Sequence, residues 1–227
     1  MTMRLIGTES GRVILLFPIE EMRPLRGLVL ADSVRLLNER YQFAYPPDLS
    51  RWENVQNNPL LFRSGKLEKN GCTLPVAELG IYSDGITVNA SSTEEAEEIL
   101  NDLLDWSKKA LGMRELQRSA RKRYHSAIVV EFDHDVGKLL SCYAEICSLL
   151  SESLKAAYNV ENEIRLSRLA FSQDPTTIPP SLPAGELIME RRVNYPYDAN
   201  RFFCSAHLAT KEHVRLLQQI EELTAAR

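Results

Sequence analysis

Apolar residues recur along this chain with two different periods, and the alternation between them divides it into elements. Arg12-Val-Ile-Leu-Leu-Phe17 is short, β-branched and apolar at both parities, the pattern of an interior strand. Over 25–41 the period lengthens, and Leu30, Val34, Leu37 and Tyr41 mark one helical stripe. Tyr45-Pro-Pro-Asp48 stops regular structure, and the polar stretch 46–58 leaves room for one short helix around Leu49–Val55. Three strands are predicted next, at Leu60–Arg63, Ala77–Tyr82 and Ile86–Ala90. Asn70-Gly71 signals a type I′ hairpin, and Ser83-Asp84-Gly85 a second turn.

Ser92 with Glu95 three residues on predicts a capped helix whose apolar face is Ala96, Ile99, Leu100, Leu103, Trp106 and Ala110, with Gly112 as its stop. A polar stretch at 114–124 follows. The pattern then restarts with an interior strand, Ala127–Phe132, and a helix from Val136 to about Tyr158. Val136, Leu139, Leu140, Tyr143, Cys147, Leu150 and Leu154 lie on one face of that helix. Strands are predicted at Glu163–Phe171, Glu186–Val193 and Arg201–His207, with a proline-bearing loop over Ser172–Gly185. A last helix runs from Lys211 to about Ala225, with Thr210 as its cap and Leu216, Leu217, Ile220 and Leu223 as its buried stripe.

Both halves read β-α-β-β-β-α. Phe17 and Phe132 end corresponding strands at an offset of 115 (132 − 17), and Thr93 and Thr210 open corresponding helices at an offset of 117 (210 − 93). The expected fold is α+β: two βαβββα-like halves, 1–113 and 114–227, with mainly antiparallel sheet and helices packed on it. The agreement suggests an internal duplication, with chance likeness of βαβββα strings and of helix starts as the alternative; separately, the halves can form one continuous domain. In outline, a helix, a three-stranded antiparallel sheet and a helix resemble secretion-chaperone-like binding modules, with no shared motif behind the likeness.

Composition narrows the function classes. With 44% apolar and 26% charged residues the chain is neither disordered nor collagenous. The net charge of −4 argues against a dedicated duplex-DNA binder, which needs cations to neutralise phosphates. No run approaches the roughly 18 apolar residues of a membrane span, and the N-terminus has no apolar stretch of signal-peptide length, so a cytoplasmic protein is expected. Cys72, Cys142, Cys147 and Cys204 lack CxxC spacing and are expected as reduced thiols; neither a resident metal nor a cofactor is expected. No GxGxxG or GxxxxGK[ST] loop occurs, and Ser205 and His207 share a strand face without the strained turn of a nucleophile elbow.

Three constellations remain. Glu131, Asp133, His134 and Asp135 gather ionisable groups at a strand end before a helix, a place where carboxylates and imidazole can hold a divalent metal or exchange protons; helix capping by Asp135, with Asp133 near the positive helix end, is the favoured reading, since it alone accounts for the acids. Arg118, Arg121, Lys122 and Arg123 form a basic run suited to phosphate, or a solvated connector. Arg191, Arg192, Tyr195, Tyr197 and Arg201 flank a hairpin loop rich in the residue types that anchor interfaces. The reading favoured by these patterns is a non-enzymatic protein-binding or assembly module, working with a protein partner or as a homo-oligomer. A metal-dependent hydrolase at Asp133-His134-Asp135 and a nucleic-acid accessory protein using 114–123 are the alternatives.

Overall fold

A computed structural model describes residues 3–24, 27, 29–51, 58–69, 71–116, 120–140, 142–159, 164–174, 176 and 185–225. Among them, eight strands and four helices form an α+β fold, and every strand pairing with a described register is antiparallel. The chain resolves into two compact units. One comprises Thr8–Ser126 with His207–Thr210; the other comprises Met1–Gly7, Ala127–Ala206 and Lys211–Arg227.

In the first unit, strands β1 (Arg4–Leu16), β2 (Leu60–Lys69), β3 (Cys72–Tyr82) and β4 (Gly85–Ala90) lie in the order β2-β3-β4-β1. Register runs from Leu60↔Ile81 to Lys69↔Cys72 between β2 and β3, and from Gly11↔Ala90 to Leu16↔Gly85 between β1 and β4. The two-residue connection between Lys69 and Cys72 needs a positive φ, and Gly71 supplies it at +77°. Helix α1 (Leu30–Tyr41) buries Val34, Leu37 and Tyr41. Helix α2 (Thr93–Leu111) is capped by Ser92, whose hydroxyl accepts the Glu95 N–H at 3.2 Å, and Gly112 ends it in the left-handed region. Ala96, Ile99, Leu100 and Leu103 bury its inner face among Val13, Leu15, Phe62, Leu79 and Val88, as the helical and strand periods foretell.

The second unit repeats the order of elements. Strands β5 (Arg121–Glu131, of which Ala127–Glu131 belong to this unit), β6 (Arg168–Ser172), β7 (Glu186–Arg191) and β8 (Arg201–Ala206) lie as β5-β8-β7-β6. Its core is Ile128, Val130, Phe132, Val136, Met189, Phe202, Cys204 and, from helix α4 (Thr210–Ala225), Leu217. The short 3-10 turns after β1 and β5 begin at Ile19 and Val136, 117 residues apart (136 − 19). Left-handed residues Gln42 and Asn159 close α1 and helix α3 (Tyr143–Tyr158) at the same offset (159 − 42). No described helix is long and apolar enough to cross a membrane.

Several boundaries differ from the sequence reading. Strand β1 starts at Arg4 rather than Arg12, and β2 extends to Lys69, because backbone pairing continues through polar residues. The run at 114–124 is not wholly a connector, since β5 begins at Arg121. The helix expected from Val136 is broken. A 3-10 turn at Val136–Leu139 gives way to extended backbone at Leu140, and α3 starts only at Tyr143. Of the stripe assigned to that helix only Val136 is buried, and it lies in the turn; α3 buries none of its residues. Of the short helix expected around Leu49–Val55, a 3-10 turn stands at Leu49–Arg51 and the rest lies outside the described residues, as do most of the 172–185 loop and Glu163.

Candidate functional site

The strand-end cluster disperses once the backbone is built. Glu131 sits at the end of β5 between two guanidinium groups, Arg4 at 2.6 Å and Arg201 at 2.7 Å. The Arg201 bond, aided by Arg4 against some desolvation, holds the Glu131 carboxyl below the usual range. Asp133 is exposed. His134 turns toward α4, where its Nδ1 lies 2.5 Å from Oε1 of the buried Glu221, and its backbone N–H donates to the same oxygen at 3.2 Å. Asp135 accepts the Gly137 N–H at 3.0 Å and so caps the 3-10 turn, the bland role weighed for it above. Strand alternation and the sharp turn send Glu131, His134 and Asp135 to three different neighbours and leave Asp133 exposed. Among the described residues, no group of three His, Cys, Asp or Glu side chains converges to hold a metal ion. The His134–Glu221 pair joins positions 87 residues apart, and nothing in the spacing of the sequence announces it.

The basic run divides in a similar way. Arg118 lies outside the described residues. Arg121, Lys122 and Arg123 open β5, so successive side chains leave opposite faces of the sheet. Lys122 pairs with Glu97, which also accepts from the Tyr124 hydroxyl at 3.1 Å. The residue after Tyr124, His125, lies with its ring centroid 5.3 Å from that of His207.

The β7–β8 hairpin keeps its arginines for its own fold. The Arg191 side chain is only 8% exposed. Its Nε donates to Leu166 O and its Nη1 to Tyr197 O, both at 2.7 Å, while the guanidinium lies 4.5 Å from the Tyr197 ring centroid and 4.9 Å from that of Phe202. Arg201 binds Glu131 and lies 4.2 Å from the Tyr195 ring. Arg192 is half-buried, and its N–H donates to Arg201 O at 2.9 Å. Left-handed Asn194 and Asn200 turn the loop at its two ends. Tyr195 and Tyr197 remain exposed on its outside. A polar groove of about 610 Å³ runs between this loop and α3, lined by Tyr143, Cys147, Ser151, Arg165 and Asp198 among others. Tyr143 closes one wall: its hydroxyl accepts the Leu166 N–H at 2.8 Å, and its ring occupies the space where a Cβ on Gly137 would stand.

The sequence reading sets Tyr143, Cys147, Leu150 and Leu154 on one face of α3 and does not find its outward stripe: Ile146, Leu149, Leu150, Leu154 and Tyr158 are between 36% and 72% exposed. Helical spacing sets Ile146, Leu149, Leu150, Ser153 and Ala157 on one stripe that carries no charge, with Glu145, Glu152 and Lys155 elsewhere around the helix. Only the narrow line Tyr143, Cys147 and Ser151 is half-covered. No family model matches this chain, and none of the curated proteins compared with it matches.

Proposed function

We propose that the chain is a non-enzymatic assembly module, formed from two copies of one βαβββα unit, and that it self-associates through α3. The observation that carries this reading is the uncharged, exposed stripe of α3. Helix α1 occupies the same place in the element order and buries Val34, Leu37 and Tyr41, whereas α3 buries nothing. A contiguous apolar stripe of this kind on a folded surface marks a contact site. The stripe is also uneven along its length: Ile146, Leu149 and Leu150 are large, and Ser153 and Ala157 are small. Two copies running antiparallel place Ile146 against Ala157 and Leu150 against Ser153, so that bulk meets space under a two-fold axis. A parallel pair would set bulk on bulk.

A helix of 16 residues is about 24 Å long, and one helix pair buries less than the roughly 800 Å² per partner of a standard interface. The expected dimer is therefore weak and concentration-dependent. Sedimentation from micromolar to millimolar concentration tests it. The native chain should move from monomer to dimer, and Leu149→Lys with Leu150→Glu should hold it as a monomer with an unchanged thermal melt, because both positions are exposed. A native chain that stays monomeric throughout would overturn self-association. A dimer retained in the α3 variant but lost on Tyr195→Ala with Tyr197→Ala would transfer the contact to the hairpin.

A further inference from the structure

The first unit contains a cavity that none of the preceding roles uses. It measures about 180 Å³ and lies where α1, the 3-10 turn Ile19–Met22, β2 to β4 and α2 meet. Met22, Leu37, Leu60, Ile86 and Leu103 wall it and are buried. Protein interiors seldom leave a gap larger than a water molecule; this one, between two helices and a sheet and partly open to solvent, has room to admit a guest.

The chemistry of the wall says what kind. Among the described residues its hydroxyls are those of Ser33 and Ser107, and each donates its proton to the backbone of its own helix: Ser33 Oγ to Val29 O at 3.1 Å and Ser107 Oγ to Leu104 O at 3.0 Å. Among the described residues the remaining wall, Arg23 apart, is apolar, and the two serines keep acceptor capacity only. A buried water needs two to four polar partners, donors and acceptors, so the lining favours an apolar guest. The rim is apolar too, built from the half-buried Ile19, Leu30 and Met113, with one exception. Arg23 lines the site with its side chain largely exposed, and its nearest described anion is Glu20 at 3.6 Å, a long ion pair.

We infer that this cavity binds the aliphatic tail of a small amphiphile, about six to eight carbons long, whose anionic head lies at Arg23. The size follows from precedent: a dry apolar cavity of about 150 Å³ takes up a benzene-sized guest. Met22 and Met113 bracket the cavity, and their flexible thioethers adapt to a guest more readily than branched side chains do.

Calorimetry and melting of the intact chain with octanoate, octanol and acetate test the inference. Octanoate should bind and raise the melting temperature, octanol should bind at least threefold more weakly, and acetate should do nothing. Ser107→Leu extends an aliphatic group into the cavity; it should melt no lower than the native chain and lose octanoate binding at least tenfold. Should that variant fail to fold, Val34→Ile, which adds one methylene to the wall, should weaken octanoate in the same direction. Arg23→Glu should weaken octanoate about tenfold and leave octanol unchanged. No binding of octanoate at millimolar concentration, or equal binding by the native chain and Ser107→Leu, would overturn the site. Equal losses of octanoate and octanol in Arg23→Glu would overturn the role of the head group.

Discussion

Asp102 on α2 fastens α1 through three bonds, and replacing it by alanine should cost about 2–4 kcal/mol. Its Oδ1 accepts from Arg40 Nη2 at 2.6 Å; its Oδ2 accepts from Arg40 Nε at 3.0 Å and from the Tyr41 hydroxyl at 2.8 Å. Tyr41 is fully buried, with its ring edge-on to Trp106 at 6.4 Å. Removing the carboxylate strands that hydroxyl, and a hydrogen bond to a charged group is worth about 1.5–3 kcal/mol. Arg40 is a third exposed, so its part of the pair adds only about 0.2–1 kcal/mol. Urea denaturation of Asp102→Ala, Tyr41→Phe and the double variant measures both parts. The reasoning requires a coupling of about 1–2 kcal/mol, since Tyr41→Phe removes the stranded donor that makes Asp102→Ala expensive. A loss under about 0.5 kcal/mol for Asp102→Ala, or strict additivity of the two changes, would refute it. The same carboxylate predicts a pH dependence. Burial pushes the Asp102 carboxyl up, but the bonds from Arg40 and Tyr41 outweigh burial and leave it below its ordinary value. A depressed folded value means that the stabilisation is complete above the unfolded pKa of about 3.9 and fades as pH falls through the folded one. Asp102→Asn should lack that part of the acid transition.

Other outcomes follow from single positions. A Cβ at Gly11 would stand 2.0 Å from the Ser92 carbonyl carbon and 2.1 Å from the Thr93 nitrogen. Gly11→Ala should therefore cost about 3 kcal/mol in a thermal melt, whereas Gly7→Ala in the same strand meets nothing and should be near neutral. Burial, then His207 and Arg12, lower the His125 pKa. The neutral ring is thus the form the fold accepts, and stability should decline as pH drops below about 6.5; His125→Phe should decline less over pH 7 to 5. Cys72 and Cys142 are exposed, while burial both hides the Cys204 thiol and pushes its pKa up. A thiol reagent should modify the first two at once and Cys204 only at the rate of unfolding, and equal rates in the folded protein would contradict the burial.

What the sequence could disclose was whatever depends on neighbours in the chain. The cap at Ser92 and the turns at Gly71 and Gly85 are local facts, and they appear where the pattern puts them; that Val13, Leu15 and Phe17 are the buried parity of a strand apolar on both depends on what each face meets. Periodicity reports that a helix has an apolar stripe but not what lies opposite, so α3 reads like a core helix although its leucines face outward. The break before Tyr143 has no proline to mark it. Arg121-Lys-Arg123 lacks apolar alternation, and only its place in the sheet makes it a strand. Glu131 with Arg4, His134 with Glu221, and Arg191 with Leu166 are decided by tertiary placement. That is why a cluster contiguous in sequence became several separate contacts.

Thr93 and Thr210, the first residues of α2 and α4, exchange hydrogen bonds. Each hydroxyl accepts the other's backbone N–H, at 2.7 and 3.1 Å, and the two oxygens lie 3.0 Å apart. A helix start is ordinarily a private affair, satisfied by its own cap or by water. Here neither threonine amide can open without leaving the other short of an acceptor. Fraying at the head of the last helix should therefore be heard 117 positions earlier (210 − 93), as faster amide exchange at Thr93, and the two ends should protect and release their protons in step.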